Sequence, residues 1–316
     1  MTERLDIIKT HKLFIGGQFP RSESGRSLPV AGPTGEVVAH LCRASRKDLR
    51  DAVVAARGAQ EGWARRDAYN RGQILYRMAE MVEGKRGEFV EALGATERRS
   101  GAATKGKAQM VKKGSTKRPS PSPSPKGKGD FEDEVSAAVD RLVGYAGWAD
   151  KYQQILGCQN PVQGPYHNFT IPEGVGVVAV VAPDEWPLLG LVSMIAPAIC
   201  SGSTVVALGS GANPIPTCIF GEVCATSDVP GGVVNLLTGD RGELLKWMAE
   251  HREIDAIHAG ASTPEEAKVL RLGAAENVKR VVLREGVDWF DAAACEGPGW
   301  IEPLIEFKTL WHPAMV

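Results

Sequence analysis

The sequence predicts an α/β protein whose core is a doubly wound, mostly parallel sheet with flanking helices. Three observations point to it. From residue 174 onward, short β-branched runs alternate with segments of helical period, the signature of strand–helix–strand units. The first of these runs, residues 174–183 (GVGVVAVVAP), is continuously apolar, as expected of a strand covered on both faces. The chain is also long enough to bury a real core: 316 residues, 43% hydrophobic and 24% charged, values that exclude a disordered, collagen-like or coiled-coil protein.

In chain order, residues 13–19 (LFIGGQF) and 35–41 (GEVVAHL) read as strands, with Gly16-Gly17 and Gly32-Pro33 as breakers. Ser45 is a candidate N-cap for a helix carrying Leu49, Val53, Ala56 and Trp63 on one face. A second helix presents Ile74, Leu75, Met78, Ala79 and Val82, and a shorter one covers residues 87–93. Residues 95–129 hold almost no large apolar side chain. Such a segment cannot offset its ordering entropy, so disorder is expected there. Helical patterning resumes at Asp130 with Val135, Val139, Leu142, Val143 and Ala146 on one face; Tyr145, Trp148 and Tyr152 share that spacing and are expected to pack inside. Helices are then predicted over residues 186–200, 215–226, 242–251 and 263–274, and strands over 203–209, 232–240, 254–260 and 279–286. No internal repeat is apparent.

The formal net charge of −1 hides an asymmetry. Residues 98–129 contain ten Lys or Arg and no acid, leaving −11 on the remainder. A solvated tether is the favoured reading of this basic stretch. Sequence-specific nucleic-acid binding is not expected without interleaved aromatics, although a polyanionic partner or phosphorylation of the SPSPSP run fits its composition. Six dispersed cysteines (Cys42, Cys158, Cys200, Cys218, Cys224, Cys295) form no CxxC pair, and His167, His251, His258 and His312 have no HxxxH spacing. Neither a disulfide framework nor a metal site is expected. No leader-like apolar stretch occurs in the first thirty residues, and the most apolar region, residues 175–208, is broken by Pro183, Asp184, Glu185, Pro187 and Pro197. A soluble cytoplasmic protein without membrane contact is the expectation.

These segments, in this order, resemble the aldehyde dehydrogenase superfamily over nearly the whole chain outside the insert. Residues 13–19, 33–41 and 46–83 look like the family's amino-terminal part, and residues 174–208 and 229–240 like its dinucleotide-binding core. The resemblance implies a Rossmann-like cofactor domain, a catalytic domain and a small β oligomerisation arm. It further implies chemistry in which a cysteine thiolate attacks an aldehyde, an amide donor holds the oxyanion and a glutamate acts as base.

Position by position, that chemistry is missing. The PWNFP-like segment is Pro183-Asp184-Glu185-Trp186-Pro187, placing Glu185 where the family's oxyanion-binding Asn stands; a carboxylate cannot donate there. The cofactor-side segment of VVLKPSE type puts Leu208 at the Lys, Ser210 at the Ser and Gly211 at the Glu. The FTGST-type turn is His258-Ala259-Gly260-Ala261-Ser262, followed by Glu265 and Glu266, acids that disfavour a phosphate. The ELGGK glutamate becomes Arg284, which cannot serve as a base. No GQxC follows, and Cys295 beside Glu296 is only a weak candidate nucleophile. Pro183, Leu208, Ser210, Gly260 and Ser262 are therefore read as vestigial cofactor positions, with no NAD(P) binding or only weak binding.

The stretch Glu306-Phe307-Lys308-Thr309-Leu310 resembles the family's terminal strand, and residues 166–171 its arm hairpin. The implied organisation is residues 1–94 as the first part of the cofactor-type domain, 95–129 the insert, 130–157 its long helix, 158–172 with 300–316 the arm, and 173–299 the Rossmann-like core, with the catalytic domain missing. Phe169, Ile171, Phe307, Lys308 and Trp311 are candidate interface residues, and Trp300 a further anchor. The function implied is that of a catalytically inactive subunit, like the degenerate second module of long two-module family members. It would assemble as a homo-oligomer or with an active NAD(P)-dependent aldehyde dehydrogenase. Two alternatives stay open: an active NAD(P)-dependent oxidoreductase taking aldehyde to carboxylic acid, and a nicotinamide-nucleotide sensor without chemistry.

Overall fold

The computed structural model describes residues 7–96, 128–260 and 262–314; most of the predicted insert lies outside them. The chain begins with a three-stranded sheet of β1 (Lys9–His11), β2 (Ser27–Ala31) and β3 (Val37–Cys42), in which β3 is central. Two details differ from the sequence reading. Residues 13–19 form no strand: Gly16 and Gly17 take φ of 60° and 79°, and this tight turn leaves Phe14 a single bridge to Leu236. The flanking strands β1 and β2 were not anticipated, β1 for its three-residue length and β2 because Pro29 and flanking polar residues hide its alternation.

Helix α1 (Arg46–Ala64) starts as predicted at Ser45, whose hydroxyl accepts from the amide of Asp48 while the Asp48 carboxylate accepts from the amide of Ser45. Leu49, Val53, Ala56 and Trp63 are all buried. Helices α2 (Ala68–Gly84) and α3 (Arg86–Gly94) follow, then α4 (Lys128–Trp148) and the short α5 (Tyr152–Leu156). Tyr145 and Tyr152 are fully buried, and Trp148 is partly so. The buried face of α4 is not the purely apolar one expected, since Val143 is 40% exposed. Glu134 and Arg141 turn inward with Val135, Ala138, Leu142 and Tyr145. Both charges do specific work there. The Glu134 carboxylate accepts from the amides of Leu188 and Leu189, capping the helix that follows them. The Arg141 guanidinium donates to Ser193 Oγ, Glu296 Oε1 and the carbonyls of Trp289 and Cys295, at 2.9–3.2 Å.

Strands β4 (Cys158–Asn160) and β5 (Tyr166–Gly174) lead into the main sheet. There β6 (Val177–Val181), α6 (Leu189–Ser201), β7 (Thr204–Leu208), α7 (Ile215–Thr226), β8 (Val234–Leu237), α8 (Arg241–Glu250), β9 (Ala256–Gly260), α9 (Pro264–Ala275) and β10 (Arg280–Arg284) alternate as predicted. All five strands are parallel, in the order β10-β9-β6-β7-β8. Successive residues face opposite layers. Val178, Val180, Val205 and Ala207 pack with the layer of α2, α3, α4, α6 and α7. Val177, Ala179, Val181, Val206 and Leu208 pack with the layer of α1, α8 and α9.

From β10 the chain crosses residues 285–304 through α10 (Ala292–Cys295) and α11 (Pro298–Ile301) and enters β11 (Ile305–Pro313). No second α/β domain intervenes. β11 pairs antiparallel with β5 from Ile305↔Gly174 to Pro313↔Tyr166, and β4 flanks the other side of β5. Arg280 fastens this arm to the sheet edge by donating to the carbonyls of Pro303 and Ile305 and to Glu306. Among the described residues no helix is long and apolar enough to cross a membrane.

Arg141→Met removes the buried member of an ion pair with partly buried Glu296 and strands Ser193 Oγ and the Trp289 carbonyl, while the Cys295 carbonyl keeps Tyr145. Losses of this kind cost about 3–5 kcal/mol. A fall of that size in unfolding free energy by urea titration is the expected outcome.

Candidate functional site

Doubly wound sheets place their ligand crevice at the carboxyl ends of the strands, where the winding reverses. Here the reversal falls between β6 and β9. The lips of this crevice are the turn after β6, which starts at Pro183, and the turn after β9, which starts at Gly260.

Pro183 is buried, whereas Asp184 and Glu185 are exposed, as expected of a loop. Asp184 nevertheless organises the lip. Its Oδ1 accepts from Ser210 Oγ at 2.9 Å, from the amides of Gly211 and Ala212, and from Arg241 Nη2 at 3.2 Å. Arg241 also donates to the carbonyl of Ala182, and its Nη1 lies 3.8 Å from Glu266. One guanidinium thus spans both lips. Ser210 is spent on its own turn, accepting from the amides of Ala212 and Asn213. Leu208 is wholly buried in β7. On the β9 side, a Cβ on Gly260 would sit 3.1 Å from Pro183 Cδ and 3.2 Å from Trp289 Cη2. Ser262 is half-buried, and Thr263 with Glu266 forms a capping box on α9. Trp186 and Phe290 meet edge-to-face at 4.6 Å between centroids.

A second cluster lies behind the first. Arg284 Nε donates to His258 Nε2 at 3.1 Å, and its guanidinium stands 4.1 Å from the Trp300 ring. With Nε2 accepting, the proton of His258 sits on Nδ1, facing the carbonyl of Met194 at 3.2 Å. Burial, reinforced by the Arg284 charge, pushes the His258 pKa down to about 3. Cys295 is fully buried; its thiol donates to the carbonyl of Asp288, and burial raises its pKa. Trp300, 5% exposed, packs against His258 and Trp289 and donates to the carbonyl of Ala294. That corrects its reading as an interface anchor. Arg284 and Cys295 therefore belong to one buried structural cluster, while Glu185 stands apart on the exposed loop. Among the described residues of these two clusters, Cys295 Sγ donates to a backbone carbonyl and not to a base.

The arm residues divide by register. Phe169, Ile171 and Lys308 share one face, the first two half-buried and Lys308 3.5 Å from Glu173. Phe307 and Trp311 lie on the other, 50% and 60% exposed, with Tyr166 edge-on to Trp311. Among the described residues no group of three or more His, Cys, Asp or Glu could hold a metal ion. Sequence reasoning missed Arg241, Trp289 and Arg141. A cation in the first turn of α8, against the helix dipole, was the available signal for Arg241.

This geometry defines a dinucleotide-domain α/β fold carrying a split β arm. The model of the aldehyde dehydrogenase family matches residues 19–113 and 126–288, and the chain belongs to that family. It is 34% identical over 283 residues to retinal dehydrogenase 2 of Mus musculus, covering 88% of this chain and 49% of that protein. It is 31% identical over 282 residues to the mitochondrial benzaldehyde dehydrogenase of Antirrhinum majus, covering 88% and 47%. The structure of an aldehyde dehydrogenase from Bacillus cereus in complex with NAD+ superposes with a TM-score of 0.73 at 27% identity, covering 87% of this chain and 50% of that one. The chain thus spans about half the length of the relatives it matches. The nicotinamide dinucleotide implied by the fold does not fit the residues present, because Arg241, Asp184 and Trp289 occupy the crevice.

Two outcomes follow. Brief iodoacetamide treatment of the native protein, mapped by mass spectrometry, is expected to label exposed Cys158 first and to leave Cys295 and the other buried cysteines unmodified until denaturation. Because His258 binds its proton far more weakly folded than unfolded, the unfolded state takes up the extra proton between pH 6.5 and about 3. Stability is complete above that window and falls as pH drops through it, by about 1 kcal/mol per pH unit. Denaturant titrations at several pH values should show this slope, and His258→Asn should flatten it.

Proposed function

We propose that this chain is a catalytically silent member of the aldehyde dehydrogenase family that acts as an assembly subunit. Its β arm joins it to a second copy or to an active NAD(P)-dependent aldehyde dehydrogenase. One observation carries the reading: a three-stranded arm stands beside a crevice whose described residues pair no nucleophile with a base. The β5–β11 ladder runs nine residues and leaves Phe307 and Trp311 outward. By contrast, the positions of oxyanion donor and base hold Glu185 and Arg284, and Cys295 is sealed. An open strand edge beside exposed aromatics is suited to β-augmentation. Free cysteines, five of the six buried, fit a reducing compartment such as the cytoplasm.

The alternative of an active aldehyde oxidoreductase draws support from relatives named as dehydrogenases. It predicts aldehyde-dependent reduction of NAD(P) that Cys295→Ala abolishes.

The test is co-expression of a tagged chain with an active family enzyme from the same source, read by copurification and by light scattering after size exclusion. A defined oligomer or stoichiometric complex is expected. Phe307→Asp combined with Trp311→Asp should convert it to a folded monomer with an unchanged circular dichroism spectrum, since both side chains are exposed. Wild-type protein that stays monomeric and ignores the co-expressed enzyme overturns the proposal.

A further inference from the structure

We infer that the crevice between β6 and β9 is closed by the chain's own side chains, its anion-binding amides filled by its own carboxylates, so that it takes up no nicotinamide dinucleotide. This reading is independent of assembly, since a silent subunit could retain a nucleotide or lack one.

A pyrophosphate is held at a strand–helix junction by bare amides and the positive end of a helix dipole. Along the carboxyl edge of this sheet several of those amides, among the described residues, are already engaged. At α6, the amides of Leu188 and Leu189 donate to Glu134. After β7, the amides of Gly211 and Ala212 donate to Asp184. At α8, the amide of Gly242 donates to Asp240. At α9, the amide of Glu266 donates to Thr263 Oγ1, and that of Thr263 to the Glu266 carboxylate. Four junctions thus carry an internal acid where a ligand phosphate would bring its charge.

The one cation among them has only its buried Nε without a partner. Arg241, its side chain 12% exposed, is committed to the carbonyl of Ala182 and to Asp184, with Glu266 on its other side. A pyrophosphate would have to displace two carboxylates from it while approaching Glu185 and Glu265 on the lips. Space is closed as well. Gly260 leaves little room for even a Cβ beneath Pro183 and Trp289, and Phe290 is locked against Trp186. Charge and volume therefore oppose the ligand at the same place.

The experiment uses the intact protein with millimolar NAD+ and, separately, NADP+, reading the thermal midpoint and the tryptophan fluorescence to which Trp186 and Trp289 contribute. A ligand present at a hundredfold its Kd would raise the midpoint of a protein this size by about 5 °C. The expected shift is nil with both nucleotides, and the fluorescence is unchanged. Asp184→Ala, which removes the acceptor shared by the Gly211 and Ala212 amides, Ser210 Oγ and Arg241, is expected to lower the midpoint by several degrees equally with and without nucleotide. A saturable rise in the wild-type midpoint, or a saturable quench, overturns the inference. An Asp184→Ala midpoint equal to wild type shows that the carboxylate is no internal lock, and overturns it too. Failure to assemble with a partner moves neither readout.

Discussion

A single buried guanidinium sets the course of everything after β10. Arg141, 1% exposed, lies among apolar side chains, where an unpaired charge is untenable. Its planar fork needs acceptors in fixed directions. One comes from α6, through Ser193, and the other three come from residues 289–296. The connection from β10 is thereby drawn over α4 and α6 rather than outward into solvent. Trp289 consequently lies above Gly260, Cys295 is sealed with its carbonyl also held by Tyr145, and Trp300 is pressed against His258. The same course delivers Ile305 opposite Gly174 in register for the arm. One interaction thus fixes both the residues packed on Gly260 and the register of the arm strand.

The main sheet was readable in the sequence because β6, β7 and β8 are buried on both faces, so their composition announces them without help from distant residues. The N-cap at Ser45 and the inner face of α1 were readable for the same local reason. Elements set by remote partners were not. The face of α4 was misjudged at Val143 because Glu134 and Arg141 point inward, and hydrophobic periodicity treats every charge as outward. Trp300 was misread because its neighbours, His258 and Arg284, come from other strands.

The departure from the family's motifs at residues 185 and 284 was visible in the sequence, since a carboxylate is no amide donor and an arginine is no base. What those side chains do instead was not visible. Arg284 lies against His258 and Trp300, converting a position aligned with a general base into one that fixes the tautomer of a neutral histidine. Arg241 reaches both lips only because α8 begins beside the end of β6, a fact of topology rather than of local sequence.

The internal acids also show how helix amino termini in a cofactor-type fold are met by the chain itself. The junctions of a doubly wound sheet converge several helix amino termini on one crevice, and unsatisfied amides there favour whatever anion relieves them. A bound dinucleotide meets that need from outside and adds to stability only while present. Glu134, Asp184, Asp240 and Glu266 meet it from within, and Arg241 in turn neutralises part of the charge they bring. If, as inferred, no nucleotide enters the crevice, the scaffold beneath the arm has the same stability whatever the nucleotide concentration.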